Sequence, residues 1–584
     1  MTVEAELQRG LGFHRTGDLA AAAACYRAVL DADPDNVDAL HLMSALAMAA
    51  GEAEFAATLA QRAVQLAPDF APAYVSLGNA LQAGARLEEA AGAFQQAIAL
   101  QPQSAEAHCN LSNVLYEMGR PDEAVNAAVE AVVLAPDMAE AHNNLGNALL
   151  ALGSADEAAE SYGKATALAP SFAQAWANLA SAEAELARLD KSIDHYCEAL
   201  SLSERPEWRF DLGNVLAKAG LPAEAAEQYG LAIAGDPVAS SPYINLSNLL
   251  IEQDQVAPAI AVLRAGLEQS DDPELHWNLA LALLRNGDYA EGWREYEWRW
   301  RLNQFQPLLR DFGKPEWDGS PLAGRTLLVH VEQGFGDAIL AARFLARAAE
   351  GGKVVVECRP ELKRLLGAVE GVAQVVAAGE ELPAFDVHLP MMSLPLRLGV
   401  TLDTLPGRRP YLSVPVGAAE FSDIDGGVLR VGIAWSGSPT RRDNAARSVA
   451  LAALARALVM DGCRLYSLQV GPAAAELAAE APAVVDLSGR LGDFADTAAA
   501  IDRLDLVITV DTAIAHLAGA LGKPVWVLLA QPNNAFLWMV GRADSPWYPT
   551  ARLFRQPDPG AWEPVLDQVS EALQGELVKN SSRR

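Results

Sequence analysis

The sequence has 584 residues, of which 51% are hydrophobic and 20% charged, with a formal net charge of −31 at pH 7. This length predicts several domains, and the acidic balance argues against nucleic acids and anionic membrane surfaces as partners. The five cysteines form no CxxC motif, the first residues do not resemble a signal peptide, and no apolar run is long enough for a membrane span. These features predict a cytoplasmic protein with reduced thiols.

The first half of the chain repeats itself. Prolines recur every 34 residues, and leucines recur every 33 or 34 residues further along, as Pro34, Pro68, Pro102, Pro136, Pro170, Leu179, Leu212, Leu246 and Leu279. This is the period of tetratricopeptide (TPR) helix pairs, so we expect eight or nine pairs in a solenoid over residues 1–300. Such a solenoid offers a concave groove that usually binds a polypeptide.

Amide side chains recur at one position of the first helix in these repeats. The candidate acceptor-binding residues are Asn110, Asn144, Asn178, Asn245 and Asn278. An amide can both donate to and accept from a peptide backbone, so a row of them could hold an extended acceptor. The row resembles the asparagine ladder in the TPR superhelix of eukaryotic O-GlcNAc transferase. Alternatively, these amides form hydrogen bonds within the array.

Aromatic residues mark the end of the repeats. Trp293, Tyr296, Trp298 and Trp300 alternate with charged residues, and residues 301–325 have the composition of a linker. The aromatics could anchor the array on the next domain or stack on carbohydrate. We favour the anchor, because aromatic residues at a domain boundary are readily buried.

Strand and helix patterns alternate after the linker, which predicts a smaller lobe at 326–420 and a second lobe at 428–575 with parallel sheets. A short strand leads to Gly334, Gly336 and Asp337. This is not a dinucleotide fingerprint, because the third glycine is missing. In the second lobe, a strand ends at Ser436 and Gly437.

A basic loop follows that second strand and contains Arg441, Arg442 and Arg447. Small residues at a strand end next to arginines could cradle a phosphate, or the loop could simply be solvated. Further along, residues 505–532 predict a parallel βαβ unit with Asp511, Thr512 and His516 where the helix begins. These residues could bind phosphate, or Asp511 and Thr512 could only cap the helix.

The pattern D-T-A-x-A-H-L-A-G-A-L-G-x-P, which begins at Asp511, resembles the donor-binding motif of heptosyltransferase-like GT-B glycosyltransferases. The segment 545–556 resembles members of that group that are fused to TPR repeats. The resemblance implies an α + α/β protein, with an N-terminal TPR α-solenoid followed by a two-lobed Rossmann-like GT-B domain. It also implies an inverting, metal-independent reaction without a cofactor.

The resemblance further implies roles for individual residues. Asp337 matches the proposed catalytic base, with His516 as the alternative base. The candidate donor-binding residues are Gly334, Gly336, Ser436, Gly437, Arg441, Arg447, Asp511, Thr512, Ala513 and His516.

Three functions are compatible with these patterns. The first is transfer of a sugar from a nucleotide-activated donor to Ser or Thr of a protein bound by the TPR groove. The resemblance suggests flagellin as this protein and a CMP-activated nonulosonic acid as the donor. The second is transfer to lipopolysaccharide or a lipid-linked sugar, and the third is a catalytically inactive TPR scaffold. The complete motifs around Asp337 and Asp511 argue against the scaffold.

Overall fold

The computed structural model describes residues 2–405, 410–424, 427–441, 443–532 and 535–583. Arg442 of the basic loop lies outside these described residues. The chain forms two compact units, Met1–Asp236 and Pro237–Arg584. Across the described ranges, no helix has the length and apolar character that crossing a membrane requires.

The first unit is built from antiparallel helix pairs, as the repeat period predicts. Its helices are α1 (Val3–Arg15), α2 (Leu19–Ala32), α3 (Val37–Ala49), α4 (Ala53–Leu66), α5 (Ala71–Ala83), α6 (Leu87–Leu100), α7 (Ala105–Glu117), α8 (Pro121–Leu134), α9 (Ala139–Ala151), α10 (Ala155–Leu168), α11 (Ala173–Glu185), α12 (Leu189–Leu202), α13 (Pro206–Lys218) and α14 (Pro222–Gly235). The predicted TPR solenoid is thereby confirmed.

Small residues allow the two helices of a repeat to approach each other. A Cβ atom built on Gly78 in α5 would lie 2.5 Å from the ring of Phe94 in α6. The same contact recurs between Gly146 and Tyr162, again at 2.5 Å. The turn inside each pair also requires a left-handed backbone, which glycine adopts without strain, as Gly119 does with φ of 70°.

The second unit begins with four more helices and continues as an α/β domain. Its first lobe and the helices before it contain α15 (Ser240–Glu252), α16 (Val256–Leu267), α17 (Pro273–Asn286), α18 (Tyr289–Tyr296), β1 (Thr326–His330), α19 (Phe335–Ala341), α20 (Leu345–Ala348), β2 (Lys353–Cys358), α21 (Lys363–Leu366), β3 (Val372–Ala377), β4 (Val387–Pro390) and α22 (Leu394–Arg397). Its second lobe contains β5 (Leu429–Ala434), α23 (Asn444–Arg447), α24 (Leu451–Leu458), β6 (Cys463–Ser467), α25 (Leu477–Glu480), β7 (Val485–Asp486), α26 (Phe494–Asp502), β8 (Leu506–Val510), α27 (Ala513–Ala520), β9 (Val525–Leu529), β10 (Ala551–Arg555) and α28 (Glu563–Arg583).

Each lobe has a parallel sheet, which confirms the α/β prediction. The first sheet has the order β3-β2-β1-β4 and the second has the order β10-β9-β8-β5-β6-β7. Leu328 of β1 lies opposite Val355 of β2 and His388 of β4. In the second sheet, the chain runs from β5 to one edge and then returns to β8, the other neighbour of β5. This reversal opens a crevice at the carboxyl ends of β5 and β8, where α/β sheets bind ligands.

The end of the repeats is buried against both lobes. Trp293 of α18 is only 1% exposed, and its ring lies 5.5 Å from the ring of Phe536 and 6.5 Å from that of Trp547. The indole N–H of Trp547 donates to the hydroxyl of Tyr289 at 2.6 Å. Trp293 is therefore an anchor, as predicted. Trp298, in contrast, stacks on His276 at a centroid distance of 3.6 Å.

The segment predicted as a linker is also packed. Trp317 is 3% exposed, and its backbone N–H donates to the carbonyl of His388 at the edge of the first sheet, at 2.8 Å. The helices α15 to α18 thus share one compact unit with the α/β lobes. The domain limits expected from the sequence, 1–300, 301–325, 326–420 and 428–575, stay a prediction.

Candidate functional site

A cavity of about 800 Å³ lies at the carboxyl ends of β1, β5, β6 and β8. Six segments of the lobes that are distant in sequence contribute to its lining, together with Glu361 and two helices of the repeats. All of the predicted catalytic and donor-binding residues line it, namely Gly334, Gly336, Asp337, Ser436, Gly437, Arg441, Arg447, Asp511, Thr512, Ala513 and His516.

Asp337 lies in the first turn of α19, directly after β1. Its carboxylate accepts a hydrogen bond from the backbone N–H of Gly334, the N-cap residue, at 3.2 Å, so it also helps to cap the helix. Burial raises the pKa of Asp337, and the negative charge of Asp511 raises it further, while the Gly334 N–H and Arg441 act in the opposite direction. A carboxylate with a raised pKa is a better proton acceptor than an ordinary one.

His516 of α27 contacts the first turn of α19, which carries Asp337. A Cβ atom built on Gly336 would lie 2.9 Å from Cδ2 and 3.1 Å from Nε2 of His516, so only glycine fits there without displacement. The imidazole is 6% exposed, and burial lowers the pKa of His516 to about 4. The ring is therefore neutral at neutral pH.

A buried hydrogen-bond network fixes the far side of this imidazole. Nδ1 of His516 lies 3.0 Å from the hydroxyl of Tyr548, whose pKa burial raises well above its usual value. The hydroxyl of Tyr411 accepts from Arg343 at 3.0 Å and donates to the carbonyl of Ile339 at 3.1 Å. With its proton kept, Tyr548 can donate to Nδ1, which leaves the imidazole proton on Nε2, the nitrogen beside Gly336.

Both described arginines of the basic loop already have carboxylate partners. Arg447 donates to the carboxylate of Asp511 at 2.6 Å and to its carbonyl at 2.8 Å. Arg441 forms two hydrogen bonds of 2.9 Å with Asp443. A phosphate in the cavity would therefore share these arginines with carboxylates, which orient the guanidinium groups.

Thr512 is the N-cap of α27, and its hydroxyl accepts from the N–H of Ile514 at 3.3 Å. The capping interpretation is thus correct for Thr512, whereas the Asp511 carboxylate pairs with Arg447 instead. Capping and ligand binding are compatible, and Ala513 and Ile514 of the first turn line the cavity.

Two polar residues that the sequence analysis did not select support the strand ends. The side-chain oxygen of Gln469 accepts the N–H groups of Trp435 at 3.1 Å and Ser436 at 3.0 Å. The side-chain oxygen of Asn444 accepts the N–H of Gly437 at 3.0 Å. Gln469 follows β6, so a search for polar residues after each buried strand would have found it.

The repeats also contribute to the cavity. Trp277 and Leu281 of α17 and Tyr296 of α18 line it. Sequence reasoning grouped Tyr296 with the anchoring aromatics and did not single out Trp277 or Leu281. A helix face shows its apolar residues in the sequence, but which of them border a cavity depends on packing with residues far along the chain.

The amide row of the repeats is partly engaged within the array. Asn110 donates to Asn79 at 2.9 Å, and Asn144 donates to the carbonyl of Cys109 at 3.2 Å. Asn178 likewise donates to other asparagines at 2.9 and 3.1 Å, and Asn278 donates to a backbone carbonyl of its own helix at 2.8 Å. Asn245 lies half-buried in α15.

These hydrogen bonds support the intramolecular alternative for the amide N–H groups. Asn110 and Asn144 nevertheless line a second cavity of about 580 Å³ on the first unit. Their role in acceptor binding stays a prediction.

Among the described residues, no three His, Cys, Asp or Glu side chains are grouped as metal ligands would be. The described cysteines are free thiols, of which Cys25, Cys109 and Cys358 are buried.

Comparison with protein families agrees with this architecture. A tetratricopeptide repeat model matches residues 7–71, 109–170, 143–204 and 244–297, and a second TPR repeat model matches 86–119. The model of glycosyltransferase family 9 (heptosyltransferase) matches residues 450–544. This last match includes Asp511, Thr512 and His516, whereas Asp337, Ser436 and Arg447 lie outside it.

Individual proteins are similar to this chain over part of its length. Protein FlbA of Caulobacter vibrioides is 27% identical over 405 residues, which cover 62% of this chain and 66% of FlbA. The chain thus spans just under two thirds of this curated relative. The crystal structure of MamA is 31% identical and covers 28% of this chain and 96% of its own, with a TM-score of 0.25. A thermophilic TPR protein in Thermus thermophilus is 24% identical and covers 31% of this chain and 98% of its own, with a TM-score of 0.28.

The repeats, the parallel sheets and the matched segment lead to one description of the chain. It carries N-terminal tetratricopeptide repeats fused to a C-terminal glycosyltransferase family 9 domain.

Proposed function

We propose that this protein transfers a sugar from a nucleotide-activated donor to a Ser or Thr hydroxyl of a protein acceptor. The observation that carries the proposal is the convergence of the candidate base, the basic loop and the N-terminus of α27 on one cavity. The two lobes with parallel sheets support a GT-B arrangement. The proposed reaction inverts the anomeric centre and uses no metal, as the resemblance implies.

The chemistry assigns one task to each side of the cavity. The acceptor hydroxyl attacks the anomeric carbon, a new carbon–oxygen bond forms, and the bond from that carbon to the donor phosphate breaks. Asp337 takes the hydroxyl proton, for which its raised pKa suits it. The electron pair of the broken bond leaves on the phosphate oxygen of the nucleotide.

The groups around Thr512 would stabilise the leaving phosphate. The first turn of α27 offers backbone N–H groups, Arg447 is oriented by Asp511, and the neutral His516 can donate from Nε2. Fixed donors of this kind do not have to reorganise as negative charge develops.

The TPR half supports a protein acceptor. Repeats of this type offer an extended groove, and the first unit has a cavity bordered by amide side chains that can bind a peptide backbone. Flagellin as acceptor and a CMP-activated nonulosonic acid as donor are the specific forms of the proposal, and they come from the resemblance. The extended groove of the repeats favours a protein over a lipid acceptor, and the intact site argues against an inactive scaffold.

A nucleotide titration tests the donor site. Isothermal titration of the full chain with CMP and UDP should show binding of at least one of them. Thr512→Trp should abolish that binding, because the indole would occupy the space in front of the N-terminus of α27. The matched control is Thr550→Trp, an exposed position that precedes β10 at the opposite edge of the same sheet. Equal affinity in both variants would place the nucleotide elsewhere.

A further inference from the structure

The second unit has an apolar surface inside the cavity that comes from the repeats and not from either lobe. Trp277, Leu281 and Tyr296, here called the repeat wall, belong to α17 and α18 and line the cavity. Trp277 and Leu281 are half-buried and pack against the hydrophobic core of the unit. The outer parts of both side chains are therefore available to a ligand.

A short series of contacts connects the repeat wall to Asp337. The ring of Trp277 lies 5.0 Å from that of Tyr296, and the Tyr296 hydroxyl accepts from the side chain of Gln333 at 2.7 Å. Gln333 is adjacent in sequence to Gly334, whose N–H donates to the Asp337 carboxylate at 3.2 Å. Tyr296 thus connects the repeat wall to the turn that carries the candidate base.

Charge is unevenly distributed in the cavity. The repeat wall carries no charged side chain, whereas Arg441, Asp443, Arg447, Asp493 and Asp511 lie on the second lobe and Asp337 and Glu361 lie on the first. A nucleotide phosphate matches the charged side, since its charge needs cations and N–H donors. The uncharged side matches a ligand part that is itself uncharged and apolar.

We infer that the repeat wall is an acceptor subsite that binds an apolar side chain next to the modified Ser or Thr. The inference rests on the proposed function. A base must lie within hydrogen-bond distance of the acceptor hydroxyl, so the residues flanking that hydroxyl must contact whatever borders Asp337. Tyr296 of the repeat wall lies beside this border, and Trp277 and Leu281 extend it with apolar surfaces that contribute to binding by burial. The last repeat would thereby select the acceptor sequence as well as hold the domain in place.

Peptide binding to the full chain tests this subsite. The probes are immobilised synthetic peptides that share one Ser, with either Val and Leu or Asn and Glu on its two sides. The chain is saturated with CMP or UDP, whichever binds more tightly in the titration. Contacts of the amide row with peptide backbone contribute equally to all probes, so the difference between the two sets reports on the flanking side chains.

The variants are Trp277→Ala, Leu281→Ala and the control Trp298→Ala. Trp298 is a half-buried tryptophan of the same region that stacks on His276 and does not line the cavity. We expect the parent and Trp298→Ala to bind the apolar set more tightly than the polar set. In Trp277→Ala the ratio of the two affinities should fall by about tenfold, the usual scale for a buried tryptophan contact. Leu281→Ala should lose part of it. Nucleotide affinity should stay within about twofold in all three variants.

Three results would overturn the inference alone. They are a parent without preference between the sets, a Trp277→Ala variant that keeps the preference, and a Trp277→Ala variant that loses nucleotide affinity instead, which would assign Trp277 to the donor. A parent that binds neither CMP nor UDP would overturn the proposed donor site and the inference together.

Discussion

At the scale of single residues, the proposed reaction depends most on Asp337, the candidate general base. We expect Asp337→Asn to lower turnover by at least about 100-fold, the usual contribution of a general base. The amide oxygen can still accept the Gly334 N–H, so the helix cap and nucleotide affinity should persist. The matched control is Glu361→Gln, an exposed carboxylate of the same cavity, which should leave turnover unchanged. Turnover near that of the parent in Asp337→Asn would assign the proton transfer to another group.

The pH dependence of turnover provides a second test of Asp337. Because its pKa is raised, the fall of the rate with decreasing pH should be centred above the ordinary aspartate pKa of about 4. Asp511→Asn removes a negative charge that raises this pKa. The change lowers the pKa of Asp337, so the acid limb measured at saturating donor should move to lower pH. A limb that stays in place or moves to higher pH contradicts the assignment.

The role of His516 depends on which nitrogen carries the proton. If Tyr548 donates to Nδ1, the donor into the cavity is Nε2–H, which a glutamine amide can imitate and an asparagine amide cannot. His516→Gln should therefore keep more nucleotide affinity than His516→Asn, as measured by titration. The reverse order would mean that Nδ1 is the functional nitrogen.

The sequence indicated these residues to different degrees. Asp511, Thr512 and His516 follow a buried strand, and that position alone predicts the edge of a sheet where ligands bind. Their pairing with Asp337 could not be predicted from spacing, because it depends on Gly336 packing against His516 across the two lobes. Trp277 was missed for a related reason. A tryptophan on a helix face is common, and only tertiary contacts place it at the cavity.

At the scale of elements, the approach of α19 to α27 decides the geometry of the site. Gly336→Ala places a methyl group 2.9 Å from Cδ2 of His516. We expect it to lower the free energy of unfolding by about 1–3 kcal/mol, as overpacking usually does, and to weaken nucleotide binding. Gly575→Ala is the control, because a Cβ atom at this exposed position of α28 meets nothing within 4 Å.

Urea unfolding and nucleotide titration of the two glycine variants give the comparison. Gly575→Ala should raise the free energy of unfolding by about 1 kcal/mol, since alanine favours the helix. If Gly336→Ala were as stable as the parent with unchanged affinity, the contact between α19 and α27 would not position the site.

The elements themselves were largely predictable. The 34-residue period fixes helix pairs because each pair must bury the same apolar face, and the alternation of strands and helices fixes the parallel sheets. The packed state of residues 301–325 was not predictable. Its Pro and Gly content is typical of a linker, but Trp317 is buried beside β4, and such a contact between distant segments leaves no local pattern.

At the scale of the whole molecule, the boundary between the two compact units determines where a deletion of the repeats should end. Deletion to residue 280 would cut into the unit that contains the cavity, because α15 to α18 belong to it. Deletion of residues 1–236 keeps that unit complete. We expect the remaining chain to bind nucleotide like the parent and to lose modification of its protein acceptor, measured by titration and by intact mass. Acceptor modification at the parental rate would show that the first unit does not recruit the acceptor.

The most direct test of the central claim is the intact mass of secreted proteins, flagellin first, from cells that lack this chain. The deletion strain would be complemented with the parent, with Glu361→Gln or with Asp337→Asn. We predict a sugar-sized mass increment on the acceptor with the parent and with Glu361→Gln, and its absence in the deletion strain and with Asp337→Asn. Identical masses for every secreted protein in all four strains would contradict the account.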